Sequence, residues 1–349
     1  MSKVLFILKR REDYNATVHK HVGLSTGLYN SASFVHNMLE SFAHKGIRSK
    51  LVVVTDNNDI DREVSLYKPT HVIIEALWVV PSKFDILQKL HPNVEWLVRL
   101  HSEMPFMANE GIAMDWIGDY VRFKKVKIAI NAKRMLREIR MYVKTLGIEN
   151  PDEKVIYLPN YYPQSFKHKR LDKEKDYIDI GCFGAVRPLK NTLIQAIACI
   201  DFANRIGKKL RFHINAGRIE MKGEPNVHNL QGLFEQLANS GHELINHTWT
   251  PREDFLKLCA KMDIGIQVSF TETFNIVACD LLTEGVPVIG SSEIPWMSSI
   301  AFASPVDSED IVEKLYRAYH FPTLNVFFNK YNLNKYLNKT KKIWFNYFK

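Results

Sequence analysis

The chain has 349 residues, 46% hydrophobic and 24% charged, with a formal net charge of +9. That length exceeds one ordinary core and points to two domains of a globular protein, and no apolar run is long enough to span a membrane. Its four cysteines, Cys182, Cys199, Cys259 and Cys279, have no CxxC spacing, which argues against metal or redox chemistry and for a reduced, cytoplasmic chain.

Apolar runs alternate with helical patterns along the whole sequence. Residues 4–8 are too short for a signal peptide and read as a first buried strand. Further strand-like runs cover 51–55, 71–75, 96–100, 127–130 and 155–158. After a polar, charged stretch they resume at 178–183, 210–215, 243–246, 264–268 and 286–289. Leu28, Ala32, Val35, Leu39 and Phe42 keep a helical spacing, with Gly46 as the stop. Repeated strand–helix units imply an α/β fold of parallel sheets with helices on both faces. The restart near 178 predicts two doubly wound, Rossmann-like domains facing a cleft, over 1–165 and 178–322. A linker over 166–177 joins them, and a basic C-terminal helix over 323–349 crosses back. Ligands of such sheets bind beyond the carboxyl ends of the strands.

Two stretches place chemistry there. In 180-IGCFGAVRPLKNTLIQAI-197, Arg187 and Lys190 sit where a strand turns into a helix, a place suited to a diphosphate because helix N–H donors and dipole add to their charge. Ordinary loop cations are the plainer reading. The stretch is not GxGxxG, and no Walker GxxxxGK[ST] occurs, which weighs against dinucleotide and kinase functions. In 269-SFTETFNIVACDLLTEGVPVIG-290, Glu272 stands in a strand-to-helix turn, Thr273 or Asn275 caps the helix, and Asp280 lies near the edge of its buried stripe. A capping acid and a surface carboxylate are the plainer readings of that pair. Asp59-Ile60-Asp61 matches DxD formally but falls far from these stretches and reads as chance. No His/Cys cluster has ligand spacing, so no metal is expected.

The order Arg187, Lys190, Glu272-x7-Asp280, then Gly285-Val-Pro-Val-Ile, with "VIYLPN" at 155–160, resembles the retaining, nucleotide-sugar-dependent glycosyltransferases of GT-B fold. Their donor domain carries Arg and Lys after its first strand and an E-x7-E signature. Asp280 departs from it by one methylene. The resemblance implies that Arg187 and Lys190 neutralise the donor diphosphate and the leaving nucleotide. It implies that Glu272 binds sugar hydroxyls and Asp280 the ribose, while N–H groups of Phe274, Asn275 and Ile276 hold the distal phosphate. The co-substrate is then a UDP- or GDP-sugar and no cofactor is required. The first domain takes the acceptor. There, Gly23 in a long loop nears the donor phosphates, and His101 contacts the transferred sugar, acting with Glu272, Lys190 and Arg187. Glu103 and Glu110 are weaker acceptor candidates.

For the acceptor, charge is the guide. Residues 121–144 hold nine Lys/Arg against Glu138. Lys133, Arg137, Arg140 and Lys144 form a basic helix front, opposite Met135, Ile139, Val143 and Leu146. In size and charge the chain is similar to the phage-encoded glycosyltransferases that modify 5-hydroxymethylated pyrimidines. This implies duplex DNA as partner, in the host cytoplasm, with Phe106, Trp116 and Tyr120 as candidates for assisting base extrusion. A bacterial surface glycan or lipid-linked sugar at an anionic membrane is the alternative. For it, Trp344, Phe345, Tyr347 and Phe348 with the tail lysines either touch the membrane or pack back on the domains. A non-catalytic protein that binds a nucleotide sugar or polyanion is a third reading.

Overall fold

A computed structural model describes residues 1–10, 27–220 and 222–349, so Gly23 lies outside the described residues. The chain divides into two compact units, Met1–Pro163 with Leu337–Lys349, and Gln164–Tyr336.

In the first unit, β1 (Ser2–Lys9), β2 (Ile47–Val54), β3 (His71–Glu75), β4 (Glu95–Leu100), β5 (Val126–Ile130) and β6 (Val155–Tyr157) form a parallel sheet. Its order is β2-β1-β3-β4-β5-β6. Each expected apolar run is a strand. The largest displacement is at β2, which starts at Ile47 because Arg48, Ser49 and Lys50 pair along β1 despite their polarity. That is tolerable on an edge strand, where one side of the ladder is open. Alternation along β1 sends side chains to both faces, as a doubly covered sheet requires. Val4, Phe6 and Leu8 meet Ala32, Val35 and Leu39 of α1 (Gly27–Glu40). Leu5 and Ile7 belong to the opposite layer, with Val64 of α2 (Asp59–Tyr67) and Phe84 of α3 (Lys83–Leu90). After the short α4 (Met104–Met107), α5 (Ala113–Tyr120) and α6 (Lys133–Thr145) complete that layer through Ile117, Tyr120, Met135, Ile139 and Val143. Tyr120 is fully buried there, which removes it as a contact for an extruded base, and half-buried Trp116 packs against it. One further turn, α7 (Pro151–Lys154), leads into β6.

The second unit is built on β7 (Tyr177–Gly181), β8 (Lys209–Ile214), β9 (Glu243–Asn246), β10 (Ile264–Gln267) and β11 (Val288–Gly290). They are all parallel, in the order β11-β10-β7-β8-β9. Helices α8 (Thr192–Arg205), α9 (Glu224–Gln236), α10 (Arg252–Cys259) and α11 (Ile276–Thr283) connect them, and α12 (Ser308–His320) follows the last strand. The core joins Ile178, Ile180, Phe212, Ile264 and Ile266 to Ala196 and Phe202 of α8, Leu230 of α9 and Leu315 of α12. Residues 164–173 carry no helix or strand and lie on this unit. The Lys167 N–H donates to the Thr283 carbonyl at 2.7 Å, and the Lys169 ammonium donates to the Ala260 carbonyl at 2.7 Å. This explains Gly285 in the Gly-x-Pro-Val-Ile turn. Its φ is +82°, and a Cβ would stand 2.8 Å from the Lys169 amide nitrogen, so only glycine fits.

The last helix, α13 (Pro322–Phe348), inverts the usual pattern over its first half. Asn325 and Asn329 face inward. Asn325 accepts from the Val288 N–H at 2.9 Å and donates to its carbonyl at 3.1 Å; Asn329 accepts from the Ser298 N–H at 2.9 Å. Two asparagines thus satisfy the open edge of β11, which unpaired would invite a foreign strand. At the far end, Trp344 and Phe348 are buried in the first unit's core, and the Trp344 indole donates to the Pro159 carbonyl at 2.8 Å. Membrane contact through Trp344 and Phe348 is therefore corrected: their rings are core. All four cysteines are buried and free, and burial pushes the Cys182 thiol up to about 12.

Burial sets a contrast along this one helix. Trp344→Ala is expected to cost about 3–5 kcal/mol and to lower the urea midpoint clearly, whereas exposed Phe327→Ala changes stability by less than about 0.5 kcal/mol. Equal midpoints for the two variants would contradict the placement of Trp344.

Candidate functional site

The second sheet's order reverses between β7 and β10, so the loops leaving their carboxyl ends diverge and form a crevice, the usual ligand position of such sheets. The β7 loop carries Gly184, Arg187 and Lys190; the β10 loop carries Glu272, Phe274 and Asn275. Gly184 adopts φ +112° and donates its N–H to Asn215 at 3.2 Å.

Lys190 and Glu272 form an ion pair across these loops. Several hydrogen bonds hold the backbones that carry them. The Phe270 N–H donates to the Leu189 carbonyl at 3.0 Å. Gln195 of α8 accepts from the Val268 N–H at 2.7 Å and donates to the Lys190 carbonyl at 2.7 Å. Asn191, in the left-handed region at φ +58°, donates to the Val268 carbonyl at 3.1 Å, a conformation asparagine tolerates. Asn275 repeats the device at φ +60° and caps α11, its side chain accepting from the Ala278 N–H at 2.9 Å. It also donates to Gln267 at 2.9 Å, and Gln267 donates to the Phe183 carbonyl at 3.0 Å. The two loops are thereby one rigid piece.

Arg187 pairs with Glu220, which Arg218 also contacts, so one carboxylate serves two guanidinium groups. With Lys190 and Glu272 this leaves the crevice positive overall. The Phe274 side chain is fully buried against Trp296 and Tyr336, and Trp296 donates to its carbonyl at 2.7 Å. Its side chain is therefore core and not a ligand contact. Asn275 and Ile276 open α11, whose first N–H groups point out of the helix end. Asp280 departs from the expected stripe edge: it is buried and lies 2.7 Å from Arg252 of α10. A carboxylate one methylene shorter than glutamate is thus matched with a cation 28 positions earlier.

In the first unit, His101 follows β4 and hydrogen-bonds through Nε2 to Glu75, the last residue of β3. Glu75 is fully buried and accepts two bonds from Arg99, at 3.1 and 3.3 Å. Arg99 donates to the Leu158 carbonyl at 3.2 Å, and Trp344 lies over it at 5.2 Å. Burial alone would raise the Glu75 pKa, but Arg99 and His101 hold it below the usual value. Burial lowers that of His101, against the pull of Glu75. Neither Glu75 nor Arg99 was singled out in the sequence, although Glu75 ends an apolar strand and Arg99 is the penultimate residue of another.

The basic front of α6 is thinner than expected. Arg140 pairs with Asp152 at 2.9 Å and donates to the Val155 carbonyl at 3.0 Å, so it is turned inward. Glu103 is buried and bonded by Arg134 at 3.2 Å, which removes it from the exposed surface. Lys133, Arg137 and Lys144 are exposed. Glu110 lies just before α5. Asp59 accepts from the Thr55 N–H at 2.9 Å and Asp61 from His91 at 2.7 Å; both serve local structure. Among the described residues no group of three His, Cys, Asp or Glu is placed to hold a metal, and no helix is long and apolar enough to cross a membrane.

No protein-family model matches the chain, and no curated protein does. Solved structures do. A UDP-forming α,α-trehalose-phosphate synthase from Burkholderia xenovorans matches with TM-score 0.66 and 9% identity, over 100% of this chain and 98% of that one. A trehalose-6-phosphate synthase studied for glycosyltransfer with retention matches with TM-score 0.59 and 10% identity, over 83% and 76%. A variant of S. aureus TarM in complex with fondaparinux, α-GlcNAc-glycerol and UDP matches with TM-score 0.54 and 12% identity, over 80% and 55%. At such identities the likeness concerns the fold, and the chain has the α/β GT-B fold of these proteins.

Proposed function

We propose that the protein is a retaining glycosyltransferase that moves a sugar from a nucleoside-diphosphate sugar to a hydroxyl acceptor, without a metal. The observation that carries this reading is the Lys190–Glu272 pair at the β7/β10 switch, beside the Asn275-capped end of α11. Lys190 and Arg187 stabilise the departing diphosphate, with N–H groups at Asn275 and Ile276 on the distal phosphate. When the phosphates take Lys190, Glu272 is released to accept hydrogen bonds from sugar hydroxyls. Asp280, held by Arg252, receives the ribose hydroxyls. His101, kept neutral and oriented by Glu75, acts on the transferred sugar. The UDP-forming synthase, the UDP-bound TarM variant and the synthase studied for transfer with retention support a UDP-sugar and the retaining course.

A second reading concerns the acceptor, a 5-hydroxymethylated pyrimidine in duplex DNA. Exposed Lys133, Arg137 and Lys144 on one face of α6 favour it, although Arg140 and Glu103 no longer contribute. A Lys133→Ala/Arg137→Ala/Lys144→Ala variant should then lose duplex binding and flatten its salt dependence; unchanged retention of duplex DNA would remove this reading.

Lys190→Ala is expected to reduce turnover of the nucleotide sugar by about 10²–10³-fold, and Glu272→Ala to cost a similar factor, in a donor-consumption assay. Full activity in either variant would show that the donor binds elsewhere. Because burial holds the His101 pKa below its ordinary 6.5, the ring stays neutral as pH falls through 6.5 and gains a proton only below it. Transfer should therefore hold steady to that point and drop beneath it, and His101→Asn should abolish this acid limb; an unchanged limb in the variant assigns it to another group.

A further inference from the structure

The exposed face of α13 is the molecule's least expected surface. Leu324, Phe327, Phe328 and Tyr331 keep the i, i+3, i+4, i+7 spacing of one helix face, and Phe321 adjoins them; all five are between 41% and 61% exposed. A surface helix ordinarily turns such a stripe inward. Here the inward positions are taken by Asn325 and Asn329, which bind the β11 edge, so the apolar residues are directed outward. A contiguous aromatic and aliphatic patch of this kind marks an interaction surface.

Its surroundings select the partner. A cavity of about 200 Å³ runs beside the stripe, with Phe166, Val326 and Phe327 in its wall together with Lys167, Lys169 and Lys330. Lys330 stands over the Phe166 ring at 4.5 Å, and Lys335 is exposed one turn beyond Tyr331. The acid in the cavity wall, Asp263, is buried and matched with Lys175 at 2.9 Å, and Glu284, next to Gly285 of that wall, is buried and matched with Lys167 at 2.7 Å. The helix sequence itself contains no aspartate or glutamate. A second copy docking on this face would bring lysines against lysines, whereas an anionic lipid surface satisfies both the rings and the charges. We infer that this face of α13 docks on anionic membrane, inserting Leu324, Phe327, Phe328 and Tyr331 between headgroups while Lys330 and Lys335 meet phosphates. The cavity lies at the amino ends of β10 and β11, through Asp263 and Pro287. Docking there leaves the Lys190–Glu272 loops, at the opposite ends of those strands, unobstructed.

Sedimentation of the full chain with phosphatidylcholine vesicles, with and without phosphatidylglycerol, tests this. Binding is expected only with phosphatidylglycerol and should weaken with salt. Phe327→Gln/Phe328→Gln should lose about tenfold or more in affinity while keeping the thermal midpoint of the parent. Lys330→Gln/Lys335→Gln should weaken binding and its salt dependence, and it decides the matter should the aromatic variant fail to fold. The inference is overturned if the parent ignores both vesicles or if both variants bind as it does. It is equally overturned if light scattering shows a dimer that Phe327→Gln/Phe328→Gln dissociates, or if the patch retains a single-stranded oligonucleotide in preference to vesicles. Because these readouts do not involve sugar transfer, their failure leaves the proposed activity untouched.

Discussion

Lys190 and Glu272 are 82 positions apart in sequence, and they meet because strand order reverses between β7 and β10. That reversal obliges the two loops to leave the sheet side by side with helices departing to opposite faces. Two opposite charges are then paired on loops that lead into α8 and α11. The contact is only as good as its support, and the support is polar. Gln195, Asn191 and Gln267 bond backbone groups of one loop from the other, so neither loop moves alone. A diphosphate reaching this place meets donors that are already oriented, which is what makes electrostatic stabilisation effective.

The same economy recurs elsewhere in the molecule. Arg99, Glu75 and His101 form a buried chain at the ends of β3 and β4, and Trp344 closes over it. Removing Arg99 or Glu75 would strand a buried charge, typically at a cost of about 3–5 kcal/mol, and the bond to Glu75 orients the His101 ring. Asn325 and Asn329 do for the β11 edge what another strand would do. In each case a polar side chain inside the protein fixes backbone that hydrophobic packing leaves undetermined.

These polar devices also mark the limit of what the sequence discloses. Strand 71–75 was legible to the residue, because Val72, Ile73 and Ile74 are buried in a sheet covered on both faces; edge strand 243–246 was legible too, from Leu244 and Ile245 between polar ends. That Lys190 and Glu272 follow strands was legible in the pattern, and they meet across neighbouring loops, whereas the pairing of Arg187 with Glu220 was not. Asp280 was legible as a carboxylate but not as the partner of Arg252, since that pairing depends on how α10 and α11 lie together. Arg140 looked exposed because helical periodicity gives a face and not the neighbour opposite it, and Glu103, read from its place after a strand, gave no sign of Arg134 beside it. The terminal aromatics left two readings open, membrane contact or packing back, and Trp344 and Phe348 take the second. Period alone does not say that asparagines take the inward positions near Asn325, while Trp344 on the same helix is core.

The central claim is that the β7/β10 crevice of the second unit holds a nucleoside diphosphate. A crystal structure of the protein with UDP addresses it most directly. The account predicts the diphosphate within hydrogen-bond reach of the Lys190 ammonium and of the N–H groups at Asn275 and Ile276, with Glu272 turned away from Lys190. UDP bound away from these loops, or a Lys190–Glu272 pair left intact beside bound UDP, would contradict it.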